Sequence, residues 1–182
     1  METESYYEQL DGKIKTILSR PLRETLTYDI LDDEESIKNK QIALKEKQRQ
    51  MKVGEIMQVA VGNWPGFEDL GVGHVTGLDV LSVERKIIVE LKNRTNTDNA
   101  SSKKENLNKL ARFKKANPEY TCIYANINDN TEEKTLKGMK KIIMHDGVEI
   151  EHMVGMEFLK FVFGEHVNEV IEFLKYAIRK HS

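Results

Sequence analysis

Three residues near the middle of the 182-residue chain, Asp79, Glu90 and Lys92, combine types that do chemistry together. Glu90 and Lys92 are separated only by Leu91 and follow the β-branched run Ile87-Ile88-Val89. That run predicts a strand, and on a strand residues two apart project to one face, about 6 to 7 Å from each other. Glu90 and Lys92 then stand together while Val89 and Leu91 pack on the other side. Leu78-Asp79-Val80-Leu81 is a second extended piece, and Ser82-Val83-Glu84-Arg85 can turn between the two, so a hairpin is predicted that brings Asp79 beside Glu90. Two carboxylates and the Leu91 carbonyl are hard oxygen ligands of the kind Mg²⁺ prefers. A cation held there would polarise a phosphodiester and acidify a water, with the Lys92 ammonium at the rim to orient that water and stabilise the phosphorane. A Glu-x-Lys pair is also common structural decoration. What favours chemistry is its place at the end of a strand apolar enough to be central, where α/β proteins set their sites.

The elements that must position these groups follow from spacing. Leu10, Ile14 and Ile17 predict a helix from about Tyr6 to Leu18, stopped by Pro21. Asp32-Asp33-Glu34-Glu35-Ser36 opens a longer helix, acids first and lysines later as the helix dipole favours, running to about Ala60 with Gly54 as a point of kinking or division. Turn formers and glycines predict loop and short extended pieces over 62–77. Beyond the hairpin, Ser101 or Ser102 can cap a helix through Lys115 that Asn117-Pro118 ends. Tyr120 to Ile127 and Lys141 to Met144 predict two more strands. Val167, Val170, Ile171, Leu174, Ala177 and Ile178 line one face of a final helix, a core face or a dimer contact. The order predicts an α/β fold with a mixed central β-sheet flanked by helices. It is read as one domain, 1–182, with a helical part at 1–60, the catalytic core at 62–127 and a C-terminal strand and helices at 128–182.

With 39% apolar and 32% charged residues, the composition is that of a soluble globular chain. No apolar run approaches the roughly 20 residues of a membrane span, and the polar start lacks an apolar signal core, so a cytoplasmic protein is expected. One cysteine, Cys122, excludes an internal disulfide and a thiolate zinc site. The net charge of −2 hides polarity: Arg85 to Lys115 carries ten basic against three acidic residues. A second run, Lys38 to Lys52, has six basic residues and one acid, Glu46. Either run can face a polyanion or be a solvated helix face.

Asn93, Arg94, Asn96, Thr97 and Asn99 form a polar stretch read as a loop, able to bond phosphate oxygens and base edges or simply to make a turn. Ser101, Ser102, Lys103 and Lys104 begin the next helix, whose N-terminal N–H groups can receive a phosphate. His74 is a further candidate phosphate or base contact, although isolated loop histidines commonly have no such role. Glu68 and Asp69 fall in the Gly-rich stretch and read as turn formers. The other histidines have no metal spacing, and Gly71-Val72-Gly73 lacks a nucleotide-loop pattern.

About 40 residues carry a resemblance: Gly66-Phe67-Glu68-Asp69-Leu70-Gly71, Gly73-His74, Thr76-Gly77-Leu78-Asp79, Arg85 to Asn93, Asn96-Thr97 and Ser101-Ser102. Weaker likeness lies at Gly54 to Gln58 and at Phe158 to Gly164. The sequence resembles the PD-(D/E)XK nuclease superfamily, and within it type II restriction endonucleases that cut GGNCC-like sites. The resemblance implies a restriction-endonuclease-like core, Mg²⁺ held by Asp79 and Glu90, and Lys92 as the catalytic lysine. Leu78 stands where the superfamily often has proline. On the helix before the motif, Glu55 is either a further catalytic residue in contact with metal or water, as the resemblance implies, or a surface helix residue, and Gln58, one turn later, is a weaker candidate for phosphate or metal-bound water. The resemblance also implies hydrolysis of both strands of a short palindromic site in double-stranded DNA, a homodimer to match the two-fold DNA, and a cognate DNA methyltransferase as functional partner. The alternatives are a repair or structure-selective nuclease of the same core, or a non-catalytic DNA-binding protein with a degenerate nuclease fold.

Overall fold

A computed structural model of the chain describes residues 2–21, 24–94 and 99–182. Two long helices come first, α1 (Glu2–Ser19) and α2 (Glu34–Gly62), followed by strands β1 (Glu68–Asp69), β2 (Val80–Ser82) and β3 (Ile87–Arg94). Then come α3 (Ala100–Ala116), β4 (Thr121–Asn128), α4 (Glu132–Leu136), β5 (Met139–His145), β6 (Val148–Val154), α5 (Met156–Phe163), a 3₁₀ turn and α6 (Val167–His181). The six strands form one sheet in the order β1-β2-β3-β4-β6-β5. Pairing is antiparallel at β1–β2, β2–β3 and β5–β6 and parallel at β3–β4 and β4–β6. The mixed sheet flanked by helices is the α/β fold class that the element order predicts.

The central strands are buried on both faces, which is why Ile87-Ile88-Val89 lacks alternation. Val89, Leu91, Ile123, Ala125 and Met153 pack with α1, α2, α5 and α6, and Ile88, Cys122, Tyr124 and Ile150 pack with α3. The first layer contains the predicted α1 stripe, Leu10, Ile14 and Ile17. It also contains Val167, Val170, Leu174 and Ala177 of α6, so the stripe of the final helix is core. Burial on both sides leaves the strand ends as the place where polar groups of the sheet can meet a ligand.

Several elements differ from expectation, each for a local reason. Helix α2 passes Gly54 unbroken, and the glycine serves a close approach: a Cβ there would lie 3.3 Å from Asn93 Cβ on β3. The Asp33 side chain accepts from Ser36 N–H and Ser36 Oγ from Asp33 N–H, both at 2.8 Å, fixing where α2 starts. Asn99, and neither Ser101 nor Ser102, caps α3, accepting from Ser102 N–H at 2.8 Å. Strand β6 and helices α4 and α5 are absent from the sequence reading. The missed signal for β6 is Asp146-Gly147, a two-residue hairpin turn with φ of 50° and 79°, joining β5 to β6.

Candidate active site

Asp79 precedes β2 directly, and the antiparallel register Val80↔Val89 sets it across from Glu90. Its N–H donates to Val89 O at 3.1 Å, and its Oδ2 accepts from Leu91 N–H at 2.8 Å. Asp79 is thereby stapled to β3 between the two residues it must meet. Glu90 and Lys92 share the α3 face of the strand, with Lys92 Nζ 2.6 Å from Glu90 Oε1. The Glu90 side chain is only 3% exposed, and Oε2 is buried without a hydrogen-bond partner.

Burial is the main cause that raises the pKa of Asp79, against the Leu91 N–H and the Lys92 charge, with Asp69 pushing the same way as burial. Burial also raises the pKa of Glu90, the Asp79 charge adds to it, and Lys92 opposes both. Two desolvated carboxyls, mutually repelling and with one Glu90 oxygen unengaged, form a hard-oxygen donor set. A hard dication fits that set. Among the described residues no group of three or more His, Cys, Asp or Glu gathers to hold a metal. A cation here would therefore share its sphere with backbone, water or substrate oxygens, which is the habit of Mg²⁺.

The residues around this pair include some that sequence reasoning did not single out. Asp69, read as a turn former, pairs with Val80 on β1; its Oδ1 accepts from Gln58 Nε2 at 3.2 Å and Gly71 N–H at 3.0 Å. Gln58 is thus the α2 residue tied to the acid cluster. Glu55 instead forms a half-exposed ion pair with Arg20 at 2.5 Å. Across the sheet, Glu90 pairs with Tyr124, Tyr124 with His152 and His152 with Lys141, a polar row on the α3 face. Lys92 pairs with the buried Asn126, whose Nδ2 donates to Arg94 O at 3.3 Å.

The expected DNA contacts divide. Asn93 and Arg94 lie on β3 and not in a loop, because β3 keeps pairing with β4 as far as Arg94↔Asn128. The Asn93 amide is engaged internally, donating to Gln50 O at 3.1 Å and accepting from Asn128 Nδ2 at 2.9 Å. Asn96 and Thr97 lie outside the described residues. Ser101 and Lys104 are exposed and Ser102 and Lys103 half-buried at the start of α3, with Lys103 Nζ 5.8 Å from the centre of the Tyr124 ring. His74 turns back on its own loop, Nδ1 lying 2.8 Å from Thr76 Oγ1. In the Lys38 to Lys52 run, Lys40 pairs with Asp29 and Asp32, Lys47 with Glu24, and Arg49 with Glu46. Much of that run's charge is neutralised locally.

His152 carries a stability signature. Its Nε2 lies 2.8 Å from Asn126 Oδ1, its Nδ1 is buried without a partner, and burial, with the Lys141 and Lys103 charges, lowers its pKa from 6.5 to about 4. The unfolded chain takes up this proton below about pH 6.5 and the native state does not. Stability is therefore whole above that pH and is lost as the pH falls toward about 4, by on the order of 2 kcal/mol after screening. Thermal melts at pH 7 and pH 5 should show a larger drop for wild type than for His152→Gln. Equal drops would remove His152 as the cause.

A mixed sheet covered by helices on both faces, with two acids and a lysine gathered where its antiparallel and parallel parts meet, defines a restriction-endonuclease-like core. The family comparison agrees with that class. The chain belongs to the Eco47II restriction endonuclease family, whose description it matches over residues 8–179. It is accordingly a type II restriction endonuclease, an enzyme that binds and hydrolyses DNA. No curated protein matches the sequence. No helix among the described residues is long and apolar enough to cross a membrane.

Proposed function

We propose that the chain is a cytoplasmic PD-(D/E)XK endonuclease that hydrolyses both strands of a short palindromic site, of GGNCC-like type, using Mg²⁺. It acts as a homodimer whose single-domain protomers each present one site, in cells where a cognate methyltransferase protects the host DNA. One observation carries the reading: Asp79 and Glu90 converge beside Lys92 with a buried Glu90 oxygen left without a partner. In this reading Asp79, Glu90 and the Leu91 carbonyl hold the cation. Bound there, it supplies Lewis-acid polarisation of the phosphodiester and a more acidic water. Leu91 N–H keeps the Asp79 carboxylate turned toward Glu90. Lys92 moves from Glu90 to the attacking oxygen and the developing phosphorane charge. Gln58 and Asp69 position the second side of the acid pair, with Glu55 a more distant contributor. Arg94, Asn96, Thr97, Ser101, Ser102, Lys103 and Lys104 track the DNA backbone, supported by Asn93 and His74.

The test is cleavage of unmethylated plasmid with Mg²⁺ or EDTA by wild type and Lys92→Ala. Discrete bands with Mg²⁺ alone are expected, and a loss of about 10²-fold or more in the variant. Unchanged cutting by Lys92→Ala, or cutting in EDTA, sinks the assignment. A smear in place of bands would favour the repair nuclease alternative.

A further inference from the structure

Of the ten basic residues between Arg85 and Lys115, Lys109 is the one that helix α3 lays against Gly77, in the loop that leads into Asp79. Its side chain is 24% exposed and runs beside Gly77, two residues before Asp79: a Cβ on Gly77 would lie 3.4 to 3.6 Å from Lys109 Cε, Cδ and Nζ. Its Nζ sits 3.4 Å from Oδ1 of the buried Asn106 and 4.0 Å from the exposed Glu105. The Glu105 contact is long and solvated, so it adds little hold on the ammonium. The positive charge of Lys109 acts on both Asp79 and Glu90, opposing the effect of burial on each. On its outer side Lys109 borders an open groove with Thr76 and Arg112, so a phosphate can reach it from solvent.

We infer that Lys109 is a second cation of the active site, which offsets the acid pair before substrate arrives and then contacts the scissile phosphodiester from the α3 side. The inference rests on the proposed reading that Asp79 and Glu90 hold a divalent cation. Asp79 and Glu90 with Lys92 and Lys109 form a formally neutral set. A dication entering alone meets two ammoniums, whereas a dication entering with a phosphodiester brings the anion that draws Lys109 away from the carboxylates. Lys109 thus couples cation binding to DNA binding, and a neutral residue in its place uncouples them. Removing one positive charge from the neighbourhood of a bound dication raises its affinity by about tenfold or more, tenfold being the solvent-screened lower bound.

The experiment measures binding of Mn²⁺ alone, without DNA, by EPR, and plasmid cleavage in Mg²⁺, for wild type, Lys109→Gln, Lys109→Arg and Asp79→Asn. Lys109→Gln should bind Mn²⁺ at least about tenfold more tightly and cut at least about 30-fold more slowly, at unchanged melting temperature. Lys109→Arg should restore both toward wild type, because the role is one of charge. A merely structural lysine would leave Mn²⁺ affinity unchanged. If Asp79→Asn abolishes Mn²⁺ binding while Lys109→Gln binds and cuts as wild type, the role of Lys109 is overturned and the metal site stands. If Asp79→Asn binds Mn²⁺ normally, the metal-site reading falls and this inference with it.

Discussion

Glu90→Gln is expected to abolish cleavage and leave the metal-free fold at least as stable as wild type. The two effects have one origin. The Glu90 carboxylate is 3% exposed, held by Lys92 on one oxygen and without a partner on the other. A buried charge so placed destabilises the fold, and the amide of glutamine keeps the shape and the Oε1 acceptor without the charge. Against this, Lys92 loses a counter-ion, an effect that normally dominates when both members of a pair are buried. Lys92, however, is 25% exposed and its charge also acts on Asp79, so it can turn to solvent while keeping an acidic neighbour. The net change should be a gain of about 1 kcal/mol or close to zero. Cleavage should fall by about 10³-fold or more, because one of two acidic ligands is gone. Melting in EDTA and plasmid cutting in Mg²⁺ read the two halves separately. Mg²⁺ should raise the melting temperature of wild type and not that of the variant. A variant that cuts at near wild-type rate, or that melts several degrees lower in EDTA, contradicts this account of the site.

Groups whose roles depend on short-range pattern were legible in the sequence. The α1 stripe, the central apolar run of β3, the hairpin and the juxtaposition of Asp79 with Glu90 and Lys92 follow from spacing alone, and the structure has them. What stayed hidden depends on pairing between distant segments. The apolar run of β3 ends at Leu91, so Asn93 and Arg94 read as a loop, but the polar end of β4 continues the ladder beside them. Asp69 sits among glycines and looks like turn chemistry, yet two residues of pairing with β2 make it strand and give it Gln58 as a partner. Lys109 is one cation of a charge run, and periodicity cannot say which lysine on α3 faces Gly77. The Lys38 to Lys52 run left a polyanion surface and a solvated helix face both open, and its ion pairs favour the second: the acids that pair with Lys40 and Lys47 lie in the segment before α2.

Gly155→Ala is expected to be among the most damaging single-methyl changes in the chain. Gly155 ends β6 and begins α5 with φ of 60° and ψ of −135°, a combination residues with a Cβ rarely adopt. A Cβ there would lie only 2.2 Å from Thr135 O and 2.5 Å from Lys134 O, and both contacts are backbone of α4 that no rotamer can relieve. Backbone strain of about 1–3 kcal/mol and overpacking of similar size point to a loss near 4 kcal/mol. At about 2–4 °C per kcal/mol for a chain of this length, the melting temperature should fall by roughly 10 °C. Gly147→Ala isolates the clash: its φ of 79° is equally left-handed, but nothing lies within 4 Å of the added methyl, so about 1 kcal/mol is expected. Equal melting of the two variants would mean that α4 does not pack on Gly155. The damage should also reach the active site. Gly155 N–H donates to Asn126 O at 2.9 Å, and Asn126 is the cross-strand neighbour of Lys92 and the partner of His152. Displacing that turn loosens the end of β4 that holds β3 in register. Below its melting temperature Gly155→Ala should therefore cut plasmid more slowly than Gly147→Ala does.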